Sequence, residues 1–280
     1  MMHNKGTIDS KRYIKQDMRI VGLSIMKQKG YPGDQTRWEK LCARLNPFDF
    51  PPLLWYQKWW RKRYYQRCHT DKRLAEAFQA TYLIPAPRRG KQPKALDIGC
   101  GQGRISALLK QLGYDVYGLD VAHGNYWNSD KFVIGSCEKM PFSDESFDLC
   151  TCFGVLGLVY DEAQAMREIY RVLKKDGTLV IQVTSRNSFY TRLRGKMIFH
   201  EHYREYIPEE VQTLLKDAGF KVKKASSDSI YLPFFKRFYA ALSYMMFPQK
   251  LNQWISSITP SKYHALINVV AIKEEDEHNP

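Results

Sequence analysis

The chain has 280 residues, 44% of them hydrophobic and 26% charged. That balance excludes collagen-like, disordered and multi-span membrane classes, and it supplies a full core without disulfide staples. The formal charge of +14 sits wholly in residues 1–95, where 21 Lys and Arg face 7 Asp and Glu, because residues 96–280 carry 22 of each. Such asymmetry predicts an anionic partner, either nucleic acid, an acidic membrane surface or a charged substrate. A solvated face that keeps the protein soluble is the alternative.

Met1 to Ser10 has no apolar leader, and the six cysteines form no CxxC pair. The expectation is a cytoplasmic protein with reduced thiols. No window approaches about 18 uncharged apolar residues, so peripheral attachment is the only membrane association expected. Ile14, Met18, Val21 and Ile25 fall at helical spacing, and a second helix carries Trp38, Leu41 and Leu45. A third, from about Leu53 to Cys68, mixes Trp55, Trp59, Trp60 and Tyr64 with Lys58, Arg61, Lys62 and Arg67. A fourth is capped by Thr70 or Asp71 and ends near Leu83. A linker rich in proline and arginine closes at Pro93. Residues 1–93 therefore read as a basic, aromatic-rich helical extension, and 94–280 as a second domain.

Past the linker the pattern changes. Strands are expected at Lys94 to Ile98, Asp115 to Leu119, Lys131 to Ile134, Phe147 to Phe153, Thr178 to Val183, Phe220 to Ala225 and His264 to Ile272. Helices are expected at Arg104 to Leu112, Asp161 to Lys175 and Pro208 to Asp217. Alternation of this kind predicts an α/β fold, a Rossmann-like, mostly parallel sheet with both faces covered. An apolar insertion occupies about 226–260. Within it, Ile230 to Phe247 is too apolar for a free loop and too charged to span a bilayer, and it suits a lid, an interfacial helix or a helix packed on the domain's own core.

The first strand runs into Gly99-Cys100-Gly101-Gln102-Gly103, and the second ends at Asp120. Glycines spaced GxGxG let a backbone pass close to a ligand and set a helix N-terminus beside it. A carboxylate at the end of the next strand suits ribose hydroxyls. The dinucleotide fingerprint GxGxxG needs a glycine where Arg104 stands, and no GxxxxGK[ST] phosphate loop is present. The expected ligand is a nucleoside with a zwitterionic tail.

These residues resemble the class I S-adenosylmethionine-dependent methyltransferases, in particular the quinone and small-molecule group. Asp97 to Gly103 is similar to the family's first motif, and Gly118-Leu119-Asp120 to its acidic second-strand position. Gly135 to Phe142 with Ser146-Phe147-Asp148 is similar to the "GDAExLPF…SFD" run. Leu173 to Leu179 resembles "LKPGGxL", and His202-Tyr203-Arg204-Glu205-Tyr206 through Ala218-Gly219-Phe220 resembles an "HxREY…LL…AGF" ending. The resemblance covers about residues 94–272 and implies a seven-stranded sheet and S-adenosylmethionine as cofactor. It also implies roles. Asp97 and the backbone of Gly99, Cys100, Gly101 and Gly103 hold the methionine end. Asp120 binds the ribose, and Ser136, Cys137 and Glu138 flank the adenine. Phe153 offers its ring to the sulfonium. Ser136 stands where many members carry aspartate, and Gly157 where quinone-type members often carry histidine.

Methyl transfer from a sulfonium needs orientation first and a base only sometimes. The candidate bases are His202, His123 and Tyr206, with Tyr126 and His200 nearby. No spacing suits a metal. The expected acceptor is a small or lipid-like molecule. The rival readings are an RNA methyltransferase docking through the basic extension, and a non-catalytic module that binds the cofactor or a partner.

Overall fold

The computed structural model describes residues 63–64, 66–87, 90, 92–121, 131–194, 204–230 and 254–274. The chain divides into two compact units, 1–49 and 50–280, and the first lies wholly outside the described residues. The helices expected before residue 63, His123, Tyr126, His200, His202 and the segment 231–253 also lie outside them.

The described elements are helix α1 (Lys72–Tyr82), strand β1 (Lys94–Ile98), α2 (Arg104–Gln111), β2 (Asp115–Asp120), β3 (Phe132–Ile134), β4 (Phe147–Phe153), α3 (Glu162–Val172), β5 (Leu173–Thr184), α4 (Phe189–Arg194), α5 (Pro208–Asp217), β6 (Phe220–Asp228) and β7 (Leu266–Lys273). The strands form one seven-stranded sheet in the order β3-β2-β1-β4-β5-β7-β6. β1 to β5 pair in parallel, and β7 runs antiparallel to both β5 and β6. This is the Rossmann-like α/β sheet that strand–helix alternation predicts.

Strands β1, β4 and β7 are buried on both faces and read as near-continuous apolar runs, whereas the edge strand β6 keeps exposed residues. Alternate residues still go to opposite sides. Leu96, Ile98, Leu119, Cys150, Cys152, Leu179 and Ile181 pack with Met166, Ile169 and Val172 of α3 and with Val211 and Leu215 of α5. Ala95, Val116, Leu149, Val180 and Val270 pack on the other face with Ile105 and Leu109 of α2, and with Phe78 and Tyr82 of α1. Helix α1, which its composition groups with the extension, thus shares a core with the sheet. Asp71 precedes it without a side-chain cap, because its carboxylate pairs with Arg67 at 2.7 Å.

The chain between α3 and β5 departs from expectation. The helix ends at Val172, three residues early, and the strand begins at Leu173. Leu173 pairs with Phe147 across a register shift, and the Lys174 ammonium sits 2.7 Å from Asp148. Asp176 takes φ +58°, and a Cβ on Gly177 would stand 2.7 Å from the Lys174 carbonyl. The Lys-Asp-Gly bend therefore lies inside a long, bulged strand. Among the described residues, no helix is long and apolar enough to cross a membrane.

Candidate functional site

Parallel strands β1, β2, β4 and β5 end at one edge of the sheet, where α/β folds place their ligands. The glycine bend stands there. Gly99 and Cys100 donate their backbone N–H groups to the Leu119 carbonyl at 2.7 and 3.2 Å, which ties the bend to β2. Gly99, Gly101 and Gly103 take φ of +66°, +50° and +74°, and Gly103 opens α2. The Gly101 N–H donates to Asp120 Oδ2 at 2.7 Å. The structure thus brings together the bend and the carboxylate that the sequence places 21 residues beyond Gly99. A Cβ on Gly101 would meet nothing nearer than the Gly99 carbonyl at 4.0 Å, so the bend has open space on that side. This cradle and carboxylate fit an adenosyl ligand with an amino-acid tail.

Asp97, which the motif assigns to the methionine end, is 1% exposed and bonded within the protein. Its Oδ2 accepts from the Ser106 N–H at 2.9 Å and from the Ser106 hydroxyl, and its Oδ1 accepts from Thr151 Oγ1 at 3.0 Å. The carboxyl braces the glycine bend between α2 and β4. Burial outweighs those donors and lifts its pKa to about 6 from 3.8. The folded state then holds this proton more tightly than the unfolded chain. That stabilisation is complete below about pH 4 and is lost as pH rises through 6. Asp97→Asn should remove this dependence. Between pH 4 and 7 the wild type should lose about 2–3 kcal/mol of stability relative to the variant, as read by urea unfolding across that range. Parallel curves for the two proteins would contradict the assignment.

The turn after β3 is likewise internally bonded. The Ser136 hydroxyl accepts from the Glu138 N–H at 3.2 Å, and Glu138 Oε1 accepts from Tyr160 and Asp161 N–H at 3.1 and 2.7 Å. The Glu138 carboxylate thereby ties this turn to the start of α3. Cys137 is buried, and burial pushes its thiol up to about 12. Cys100, inside the bend, is raised for the same reason, so neither is a thiolate nucleophile.

Phe153 ends β4 at this edge. Its ring meets Tyr82 edge-on at 5.0 Å and Phe78 at 5.8 Å, so α1 reaches the site. Tyr206, expected as a base, is 2% exposed, and its hydroxyl donates to the Leu156 carbonyl at 3.1 Å. Burial raises its phenol further. It therefore anchors the turn after β4. Tyr206→Phe should cost about 1–2 kcal/mol in thermal unfolding, because the buried carbonyl loses its donor.

Sequence reasoning missed a polar row beside the same edge. Gln182 Nε2 donates to the Tyr82 hydroxyl at 3.1 Å and to Asn268 Oδ1 at 2.7 Å, and Asn268 Nδ2 donates to Asp228 Oδ2 at 3.1 Å. Asp228 Oδ1 is buried with no hydrogen-bond partner, and burial raises the carboxyl's pKa. The signal was present: Gln182 and Asn268 are single amides inside the apolar runs 179–183 and 266–272.

A methyltransferase-domain family model matches residues 96–181. A demethylmenaquinone methyltransferase of Chlorobaculum parvum is 31% identical over 163 residues, covering 47% of this chain and 67% of that protein. A sterol 4-C-methyltransferase of Caenorhabditis elegans is 29% identical over 149 residues, covering 48% of this chain and 45% of that protein. The fold is also that of a solved S-adenosylmethionine-dependent methyltransferase from Thermotoga maritima. That match has a TM-score of 0.52 at 22% identity and covers 85% of this chain and 100% of that one. Fold and glycine bend thus define a methyltransferase-type Rossmann domain. The chain belongs to the class I S-adenosylmethionine-dependent methyltransferase family, whose cofactor is S-adenosylmethionine. It spans about half to two-thirds of the length of the curated relatives it matches.

Proposed function

We propose that this protein transfers a methyl group from S-adenosylmethionine to a small or lipid-like acceptor. The supporting observation is the Gly101 N–H on the Asp120 carboxylate at the C-terminal edge of the sheet. When bound, the cofactor supplies an already activated methyl group on a sulfonium. The bend from Gly99 to Gly103 holds the amino-acid tail through backbone groups, and Asp120 accepts the ribose hydroxyls. Ser136 lies at the adenine end. Phe153, with Tyr82 and Phe78, forms an aromatic wall that excludes water near the reacting carbon. The row Tyr82–Gln182–Asn268–Asp228 orients the acceptor's polar group, and an apolar remainder accounts for the apolar segment 231–247. A base is needed only if the acceptor nucleophile carries a proton, and His202 and His123 are proposed for it. Tyr206 is not, because its hydroxyl donates to a buried carbonyl.

Incubation with cell extract and isotopically labelled methyl donor tests this reading. Label should enter the small-molecule or lipid fraction. The charge excess in residues 1–95 favours one second reading, methylation of RNA. In that case label enters RNA, and binding weakens linearly in log–log fashion as salt rises.

A further inference from the structure

Two short helices flank the end of the sheet where the site lies. Helix α4 begins shortly after β5 ends at Thr184, and a helical turn over 254–258 precedes β7, whose first residue, Leu266, pairs with Thr184. They belong to one surface. The Ser185 N–H donates to the Ala265 carbonyl at 2.8 Å, Tyr190 of α4 packs on Ala265, and the Arg192 guanidinium lies 5.5 Å from the centre of the Tyr263 ring. The Thr259 hydroxyl, just past the turn, lies 3.3 Å from His264 Nε2.

This surface exposes what a soluble face normally hides. Phe189 and Leu193, four apart on α4, are 38% and 53% exposed. Trp254 and Ile258, also four apart, are 60% and 63% exposed. These are four of the seven large hydrophobic side chains exposed among the described residues, so the exposure is concentrated here. Cations stand beside them. Arg192 and Lys262 both lie over Tyr263. Among the described residues, Glu205, which accepts from the Thr191 hydroxyl of α4, is 3% exposed and does not face solvent, and Glu210 is paired with Arg186.

Apolar and aromatic side chains rimmed by cations match an anionic lipid surface, where Trp and Phe sit at headgroup depth and Arg and Lys meet lipid phosphates. We infer that Phe189, Leu193, Trp254 and Ile258, with Arg192 and Lys262, seat the protein on an anionic membrane, with the edge that carries the glycine bend near the lipid. The inference deepens the lipid-like acceptor reading, and its test needs neither methyl donor nor acceptor.

The full chain is co-sedimented with phosphatidylcholine vesicles and with equimolar phosphatidylcholine–phosphatidylglycerol vesicles at about 0.1 M salt, where surface charge still acts over roughly 10 Å. Binding is expected to the anionic vesicles alone. The double variant Trp254→Ser, Ile258→Ser should bind them at least about tenfold more weakly, and so should Arg192→Glu with Lys262→Glu. Unchanged unfolding temperature and unchanged S-adenosylhomocysteine binding verify the fold of each variant. Equal binding to both vesicle types, no binding to either, or variants that bind like the wild type would overturn the inference. Loss of S-adenosylhomocysteine binding in the wild type would instead sink the methyltransferase reading and leave the membrane result standing.

Discussion

Gly101→Val should weaken S-adenosylmethionine binding about a hundredfold or more, a change of at least roughly 3 kcal/mol, while the protein still folds. The reason is geometric. At φ +50° the residue exposes its backbone to open space, and its N–H reaches the Asp120 carboxylate. A branched side chain there fills the space a ligand must use. It also strains the left-handed backbone by about 1–2 kcal/mol, which lowers the unfolding temperature by a few degrees. Gly99→Ala is the informative contrast. Its Cβ would overlap Val155 Cγ2, at φ +66°, so it should damage the fold itself. Calorimetry and thermal unfolding on both variants separate the two effects. A Gly101→Val protein that binds normally would show that the cofactor takes another path.

Asp120→Ala should cost about 1.5–3 kcal/mol of cofactor affinity, roughly 10–150-fold, because two ribose hydroxyls lose a charged acceptor. The substitution also frees the Gly101 N–H, so part of the loss comes through the bend it anchors. Asp120→Asn keeps an acceptor for that N–H and should lose less. Equal affinities across the three proteins, measured by titration calorimetry, would remove Asp120 from the ribose site.

The parts of this site that sequence made legible are those set by local chain geometry. A short apolar strand, three glycines at alternate positions and a carboxylate ending the next strand are each written within a few residues. What stayed hidden depends on which strands become neighbours. Asp97 looked like a ligand group because it precedes the glycines. Only the pairing of β1 with β4 sets it opposite Thr151, and only the turn into α2 brings Ser106 back to it. Glu138 resembled an adenine neighbour, yet its carboxylate meets backbone 22 and 23 residues away. Gln182 and Asn268 are 86 residues apart and meet only because β7 returns antiparallel to β5. The early end of α3 was masked by two lysines that favour helix in isolation, but Leu173 pairs with Phe147 and draws the backbone into the sheet.

Titration of the wild-type protein with S-adenosylhomocysteine, beside NAD as a comparison, shows which nucleoside ligand the glycine bend and Asp120 hold. One saturable site for the adenosyl amino acid and none for the dinucleotide is expected, because Arg104 stands where a pyrophosphate-binding loop carries glycine. No heat with S-adenosylhomocysteine, or tighter binding of NAD, would contradict it.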